Sequence, residues 1–360
     1  MKYIGALDQG TTSTRFIIFD ENNNIVSTSQ IEHKQIYPRP GWVEHNPEEI
    51  WRNTCAVITD SLEKTGIQGD DIVAIGITNQ RETIIAFDRE TGKSYHNAIV
   101  WQDLRGSDYI DNVLSKIVSE DFIRQKTGLL YSPYFSASKI RWLLDNIPAV
   151  KKNADTGRLV FGTIDTYMTY RLTGGKALIT DVTNASRYML MNIATQKWDD
   201  ELLSIIGVKK ECLPEIVSSS GVIYGYTDPD GPFKASIPVC GILGDQMAAL
   251  FGQACFDKGS SKCTYGTGCF MLANIGEEIC YSQHGLLTTV AYRIEGEKPI
   301  YALEGSVFVG GAIIQWIRDE MKFIYDAADS EYFACKVKDN GGVYIVPAFT
   351  GLGAPYWDMY

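Results

Sequence analysis

Short apolar runs separated by polar turns open the chain. Tyr3–Leu7, Phe16–Phe19 and Ile25–Gln30 predict three strands, joined through Gln9–Thr14 and through Glu21–Asn24 into a meander. The period then changes. Ile50, Thr54, Ile58 and Leu62 recur every fourth residue and form one face of a helix. Asn46 is a fitting N-cap for it, Pro47 suits the first helical position, Glu48 and Glu49 favour the positive end, and Gly66 is the expected stop. Asp71–Thr78, Thr83–Phe87 and Ala98–Trp101 return as strands. Helices follow at about Ser107–Ser119, Ser136–Asn146 and Ile164–Leu172. A meander followed by strand, helix and strand predicts a mixed sheet covered by helices. Gly174–Ile237 is turn-rich and reads as connecting and elaborating structure on this first unit. Val239–Leu243 is a buried strand that leads through Gly244-Asp245-Gln246 into a helix, Met247–Gly252.

The opening pattern then repeats. Gly259-Ser-Ser-Lys-Cys-Thr-Tyr-Gly-Thr-Gly-Cys-Phe-Met-Leu-Ala-Asn runs into a Thr/Gly turn, Thr264–Gly268, and leaves as the apolar strand Cys269–Ala273. A second meander is expected here, with strands near Leu286–Tyr292 and Ile300–Glu304. A helix is expected from Gly310-Gly311 to about Lys322, and a last strand over Tyr344–Phe349 that reaches Thr350–Trp357. The boundary falls near Phe251–Gly259, giving units 1–252 and 253–360. Duplication of this kind places a shared ligand between the halves.

The turns carry candidate chemistry. Gly10 lets the backbone approach a ligand closely, while Thr11, Thr12 and Ser13 add hydroxyls beside free N–H groups, a concavity suited to phosphate oxygens. Arg15 can add charge-assisted bonds, and Asp8 at the strand end suits Mg²⁺, directly or through water. A surface hairpin with a polar turn would read the same way. Asp245, between a buried strand and a helix, can point a carboxylate into a central cleft; a plain helix N-cap is the alternative. Arg81 and Glu82 at a strand end offer donors and an acceptor to a polyol, or form a solvated edge pair. Tyr134 can add a hydroxyl, and Trp101 and Phe270 read as core aromatics.

Asp8–Ser13, Thr78–Thr83, Val100–Asp103, Tyr134–Asn146, Gly244–Gln246 and Thr264–Gly268 together resemble the FGGY family of carbohydrate kinases, within the actin/Hsp70/sugar-kinase superfamily. The resemblance covers essentially all 360 residues. It implies an α/β fold of duplicated ribonuclease H-like (actin-like ATPase) domains with mixed central sheets flanked by helices. By the same comparison the second domain is incomplete, lacking roughly the last quarter of a full kinase and exposing apolar faces as a result. The implied activity is ATP- and Mg²⁺-dependent phosphorylation of glycerol. Asp245 would be the base. Arg81, Glu82, Tyr134, Asp245 and Gln246 would bind hydroxyls, with Trp101 and Phe270 on the carbon edge. Thr11, Thr12, Ser13, Arg15, Thr267, Gly311 and Gln315 would meet the nucleotide, and Asp8 and Asp245 the metal. The alternatives are another FGGY kinase, acting on a pentulose or sugar acid, and an ATPase switch of the actin or Hsp70 kind. Relatives imply a homo-oligomer. Where regulated members carry an Arg for fructose 1,6-bisphosphate this chain has Ser236, and the region has no His, so the resemblance implies neither sugar-phosphate nor phospho-histidine control.

Composition narrows the surroundings. A hydrophobic fraction of 45% with 21% charged residues is ordinary for a globular chain. The net charge of −11 disfavours nucleic acid and anionic membrane surfaces as partners. No run approaches the ~20 apolar residues of a membrane span. The eight cysteines show no C-x-x-C and read as mostly buried, reduced thiols of a cytoplasmic protein. The four histidines have no metal or triad spacing, and surface or loop positions are expected for them.

Overall fold

The computed structural model describes residues 2–348 and 351–358. Its first half is built on a six-stranded sheet. In spatial order the strands are Ser220–Tyr226, Pro238–Gly244, Ile72–Asn79, Tyr3–Gln9, Ser13–Phe19 and Ile25–Glu32. The three middle strands run parallel, and the flanking ones antiparallel. Register brings Gln9, Asn79 and Gly244 level with one another. The turns that follow, carrying Gly10–Thr12, Arg81-Glu82 and Asp245, therefore leave the same edge side by side. Carboxyl ends of parallel strands are where α/β sheets place ligands.

The Pro47–Thr65 helix covers one face. Asn46 accepts from the Glu48 and Glu49 N–H groups, and Gly66 closes the helix at φ 71°. Ile50, Thr54 and Ile58 are buried as the stripe predicts, joined by Val57 and Ser61, while Leu62 is half-buried. Ile50, Val57 and Ile58 pack with Leu7, Phe16, Ile18 and Ile77. Each such side chain contributes about 1.5–3 kcal/mol by leaving water. A second core crosses the halves: Trp101, Tyr134, Phe135 and Tyr188 of the first join Phe270, Leu272, Ala302 and Phe308 of the second.

The second half carries a four-stranded sheet in the order Ser261–Tyr265, Cys269–Gly276, Ile300–Val307, Leu287–Tyr292. This is not the expected meander. The strand third in sequence takes the outer edge, where all its residues are buried and Thr288 N donates to Gly128 O of the first half at 2.9 Å. Docking against the first half fixes its place.

Three further expectations fail. Tyr344–Ala348 form no strand, Val343–Val346 being largely exposed, since a lone extended run has no neighbour to pair with; Phe349 and Thr350 lie outside the described residues. His33 and His45 are buried, not superficial. Their rings meet edge to face at 4.5 Å, and His45 Nε2 lies 2.7 Å from Gln35 Oε1. Burial holds both imidazoles below the usual histidine range, so they pack as neutral rings. All eight cysteines are free, but Cys263, Cys280 and Cys335 are exposed. Among the described residues no helix is long and apolar enough to cross a membrane.

Candidate active site between the two halves

A cleft of about 180 Å³ lies where the first sheet's carboxyl edge faces the second hairpin. Arg81, Glu82, Trp101, Tyr134, Asp245, Gln246 and Phe270 line it together with Thr11, Thr12 and Thr264–Gly268 turn residues. Residues scattered over 260 positions thus converge on one small space.

Local backbone geometry sets the first of them. Thr83 N donates to Arg81 O at 2.6 Å, closing a three-residue turn around Glu82, whose φ is +58°. This conformation is rare for a residue with a side chain and costs on the order of 1–3 kcal/mol. It turns Arg81 and Glu82 both inward: each is almost fully buried. Gly244 makes room for them. A Cβ there would stand 2.7 Å from Arg81 Cγ, so only glycine lets the arginine stem cross the strand end.

The charges form a buried network. Arg81 Nη1 and Nη2 donate to Glu304 Oε2 and Oε1 at 2.6 and 2.7 Å, a bidentate pair, while Arg81 Nε lies 3.4 Å from Asp245 Oδ1. Arg187 Nε donates to Glu82 Oε1 at 2.5 Å and its Nη1 sits 3.2 Å from Glu304 Oε2. Burial raises the Glu82 carboxyl, with Arg187 and Arg81 opposing. At Glu304 burial also pushes upward, but the two guanidiniums win and hold it down to about 2. Asp245 keeps a third of its side chain open to the cleft, and its carboxyl is raised by burial against the pull of Arg81. Its Oδ1 accepts the Gln246 N–H at 2.7 Å.

Apolar walls complete the space. The Trp101 ring meets Tyr134 at 5.7 Å and Phe270 at 5.9 Å, both edge-on, and Phe308 closes the group 5.3 Å from Tyr134. Tyr134 OH lies within 3.4 Å of Arg81 Nη2, and burial raises its phenol.

Two hairpin turns bound the other side. In the first, Trp101 Nε1 donates to Thr11 Oγ1 at 2.9 Å, Gln35 Nε2 to Thr11 O at 2.9 Å and Gln80 Nε2 to Gly10 O at 3.0 Å. In the second, Gly266 N reaches Gly268 O at 2.9 Å, while Gly311 N donates to Gly266 O at 2.7 Å and Gly310 N to Thr267 O at 2.8 Å. The short helix Ala312–Asp319 begins directly against this turn.

Not every expected residue lines the cleft. Ser13 and Arg15 sit on the strand beyond the first turn, where Gln30 bonds to both, at 3.1 and 2.9 Å. The Gly311 N–H is committed to Gly266, and Gln315 is an exposed residue one turn into the helix. Asp8 is half-buried on the first strand, opposite Arg15 and outside the cleft lining, with a carboxyl raised by burial; its charge in turn raises Asp245. Two or fewer carboxylates suffice for Mg²⁺, which keeps waters and substrate phosphates as its other ligands, so the donor set fits that ion.

Sequence reasoning missed Glu304, Arg187, Phe308 and Lys262. Lys262 Nζ donates to Gln246 Oε1, to Thr264 Oγ1 at 2.9 Å and to Phe270 O at 3.3 Å, and burial followed by Arg81 lowers it to about 8. Lys262 and Glu304 are polar residues buried within strands, and only the sheet's register shows that their phase is inward.

Sequence models of the FGGY family of carbohydrate kinases match twice, the N-terminal domain over residues 3–252 and the C-terminal domain over 261–359. The chain belongs to the FGGY family. This FGGY chain is 57% identical over 359 residues to a glycerol kinase of Petrotoga mobilis, covering all of this chain and 71% of the relative. A glycerol kinase of Clostridium botulinum is 56% identical, with 100% and 72% covered. Among solved structures, the Plasmodium falciparum glycerol kinase with ADP superposes with a TM-score of 0.88 at 40% identity, covering 100% of this chain and 71% of that one. A gluconate kinase from Lactobacillus acidophilus, at 24% identity and a TM-score of 0.84, shares the fold. The FGGY chain is a carbohydrate-kinase-type phosphotransferase with mixed sheets flanked by helices.

Proposed function

We propose that the chain transfers the terminal phosphoryl group of ATP to a terminal hydroxyl of glycerol, giving sn-glycerol 3-phosphate and ADP. The observation that carries this reading is the convergence of Arg81, Glu82, Tyr134 and Asp245 against an aromatic wall, between two hydroxyl- and glycine-rich turns. Glycerol kinases more than half identical along the whole chain support it.

Glycerol presents three hydroxyls, each both donor and acceptor, on a carbon edge. Arg81 and Tyr134 donate, Glu82 accepts, and Trp101 and Phe270 cover the carbons. Asp245 takes the proton of the attacking hydroxyl, in a small space that fixes the line of attack. Its raised carboxyl is a better base than an exposed aspartate. Gln246, oriented by Lys262, adds a contact beside it. On the nucleotide side Thr11, Thr12 and Thr267 offer hydroxyls and turn N–H groups to the phosphates, with Ser13, Arg15, Gly311 and Gln315 at the periphery. Asp8 and Asp245 would hold Mg²⁺, which neutralises charge on the transferred group. Residues 1–252 then supply the acceptor site and one phosphate hairpin, and 253–360 the rest of the nucleotide side.

An ADP-release assay with glycerol, xylulose, gluconate or no acceptor tests the reading. Turnover with glycerol alone is expected. Equal ATP hydrolysis without acceptor would replace it with a nucleotide switch, and preference for xylulose or gluconate with a longer-sugar kinase.

A further inference from the structure

The acceptor cluster expected from sequence lies entirely in the first half, apart from Phe270. Its electrostatics do not. Glu304 sits on the Ile300–Val307 strand of the second half, fully buried, and both of its oxygens are occupied by first-half guanidiniums. Ser306 Oγ, on the same face of that strand, also donates to Glu304 Oε1, at 2.9 Å. A carboxylate so placed is buried three times over: it fixes Arg81, it fixes Arg187, and through Arg187 it fixes Glu82.

We propose that Glu304 is a positioning residue for the acceptor, a carboxylate from the nucleotide half that determines which donors and acceptors the first half shows to a polyol. The geometry states what it does. With Nη1 and Nη2 of Arg81 turned onto Glu304, Nε is the nitrogen that faces Asp245. With Arg187 Nε on Glu82 Oε1, the other oxygen of Glu82 is the one left for a substrate hydroxyl. Without Glu304 the Arg81 guanidinium is left with Asp245 and Glu82 as its anionic neighbours, and turning onto either would occupy the base or the hydroxyl acceptor. Lys139 performs no such service for the same cluster: its Nζ donates to the backbone oxygens of Pro133, Tyr134 and Phe135 and so fixes the loop and not the charges. The second half therefore contributes to acceptor recognition as well as to nucleotide binding.

This inference rests on the glycerol reading above, and its test separates the two. Steady-state KM for glycerol and for ATP, with kcat, would be measured for the wild-type chain and for Glu304→Gln, Glu304→Asp and Ser306→Ala. Glu304→Gln is isosteric but removes the charge; a rise in glycerol KM of about 10-fold or more is expected, with the KM for ATP within about 2-fold. Glu304→Asp, which keeps the charge on a shorter stem, recovers part of the loss. Ser306→Ala keeps the carboxylate and is expected to fold; its glycerol KM rises about 2–3-fold, with ATP again unaffected. If Glu304→Gln does not fold, Glu304→Asp and Ser306→Ala decide alone. Unchanged glycerol KM in the folded variants, or glycerol and ATP KM rising together, overturns the role of Glu304 and leaves the glycerol reading intact. A wild-type chain that phosphorylates xylulose or gluconate in place of glycerol overturns both.

Discussion

The two hairpin turns that face each other across the cleft are alike in sequence and unlike in support. Gly10–Thr12 is held by side chains from four places in the fold: Trp101, Gln35, Gln80 and, through Gln35, the buried His45. It also lies at the edge of a mixed sheet whose neighbouring strand runs parallel. Gly266–Gly268 is held by backbone bonds to itself and to the start of a short helix, and among the described residues Lys262 ties the strands on either side of it, at Thr264 and Phe270. Its sheet is antiparallel throughout. One turn is a fixed wall and the other hangs on few supports, which teaches that the chain spends its buried polar groups on the first half.

The sharpest test falls where the two turns look at a common point. Asp245→Asn is expected to lower kcat by about 10²–10⁴-fold while the fold survives, read from ADP release and from an unchanged melting curve. Next comes the network behind the fixed wall. Arg81→Met leaves Glu304 buried beside a single guanidinium and is expected to cost about 3–5 kcal/mol in urea unfolding. A loss under 1 kcal/mol would mean the wall does not depend on its charges.

Acid should attack the same place. Glu304 is held down to about 2, against an ordinary 4.5, so it is ionised in the folded chain where the unfolded chain binds a proton. Its contribution is complete above about pH 4.5 and is lost as pH falls toward 2. On the order of 1–3 kcal/mol should disappear over that window. Glu304→Gln should flatten it, measured as the pH dependence of the urea midpoint.

The contrast in support is tested by a matched pair. Lys262→Met removes the side chain that ties the strands on either side of the second turn and is expected to raise the KM for ATP about 5–10-fold, or roughly 1–1.4 kcal/mol of binding. Gln35→Ala removes one of several supports of the first turn and should cost about 1 kcal/mol of stability, with ATP KM changed less than 3-fold. If Gln35→Ala harms ATP use more than Lys262→Met does, the comparison fails.

Much of this was legible in the chain. The Asn46 cap, the four-residue stripe and Gly66 placed a helix correctly because each signal is local. Arg81, Glu82 and Asp245 stood out as charged residues directly after apolar strands, but a solvated edge pair and a helix N-cap read the same way locally, and the family resemblance supplied their roles. Glu304 and Arg187 did not stand out. Glu304 follows Leu303 in an apolar strand and looks like one polar residue on an outer face until register shows that it points inward. Arg187 lies in the turn-rich segment that reads as elaboration, and nothing local says that it will be the largest fully buried side chain of the fold. The unpaired Tyr344–Ala348 run marks the opposite error: apolar, β-branched residues read as a strand, yet a strand needs an edge to join.

Arg81 and its carboxylate partner are 223 positions apart. At ordinary translation rates of 5–20 residues per second, roughly 10–45 s pass between the synthesis of one and of the other. Through that interval a growing chain carries two guanidiniums in a forming core with Glu82 and, later, Asp245 as their counter-ions. The first half can assemble its sheet as it emerges, but a pocket able to grasp a polyol waits for the Ile300–Val307 strand of the second half.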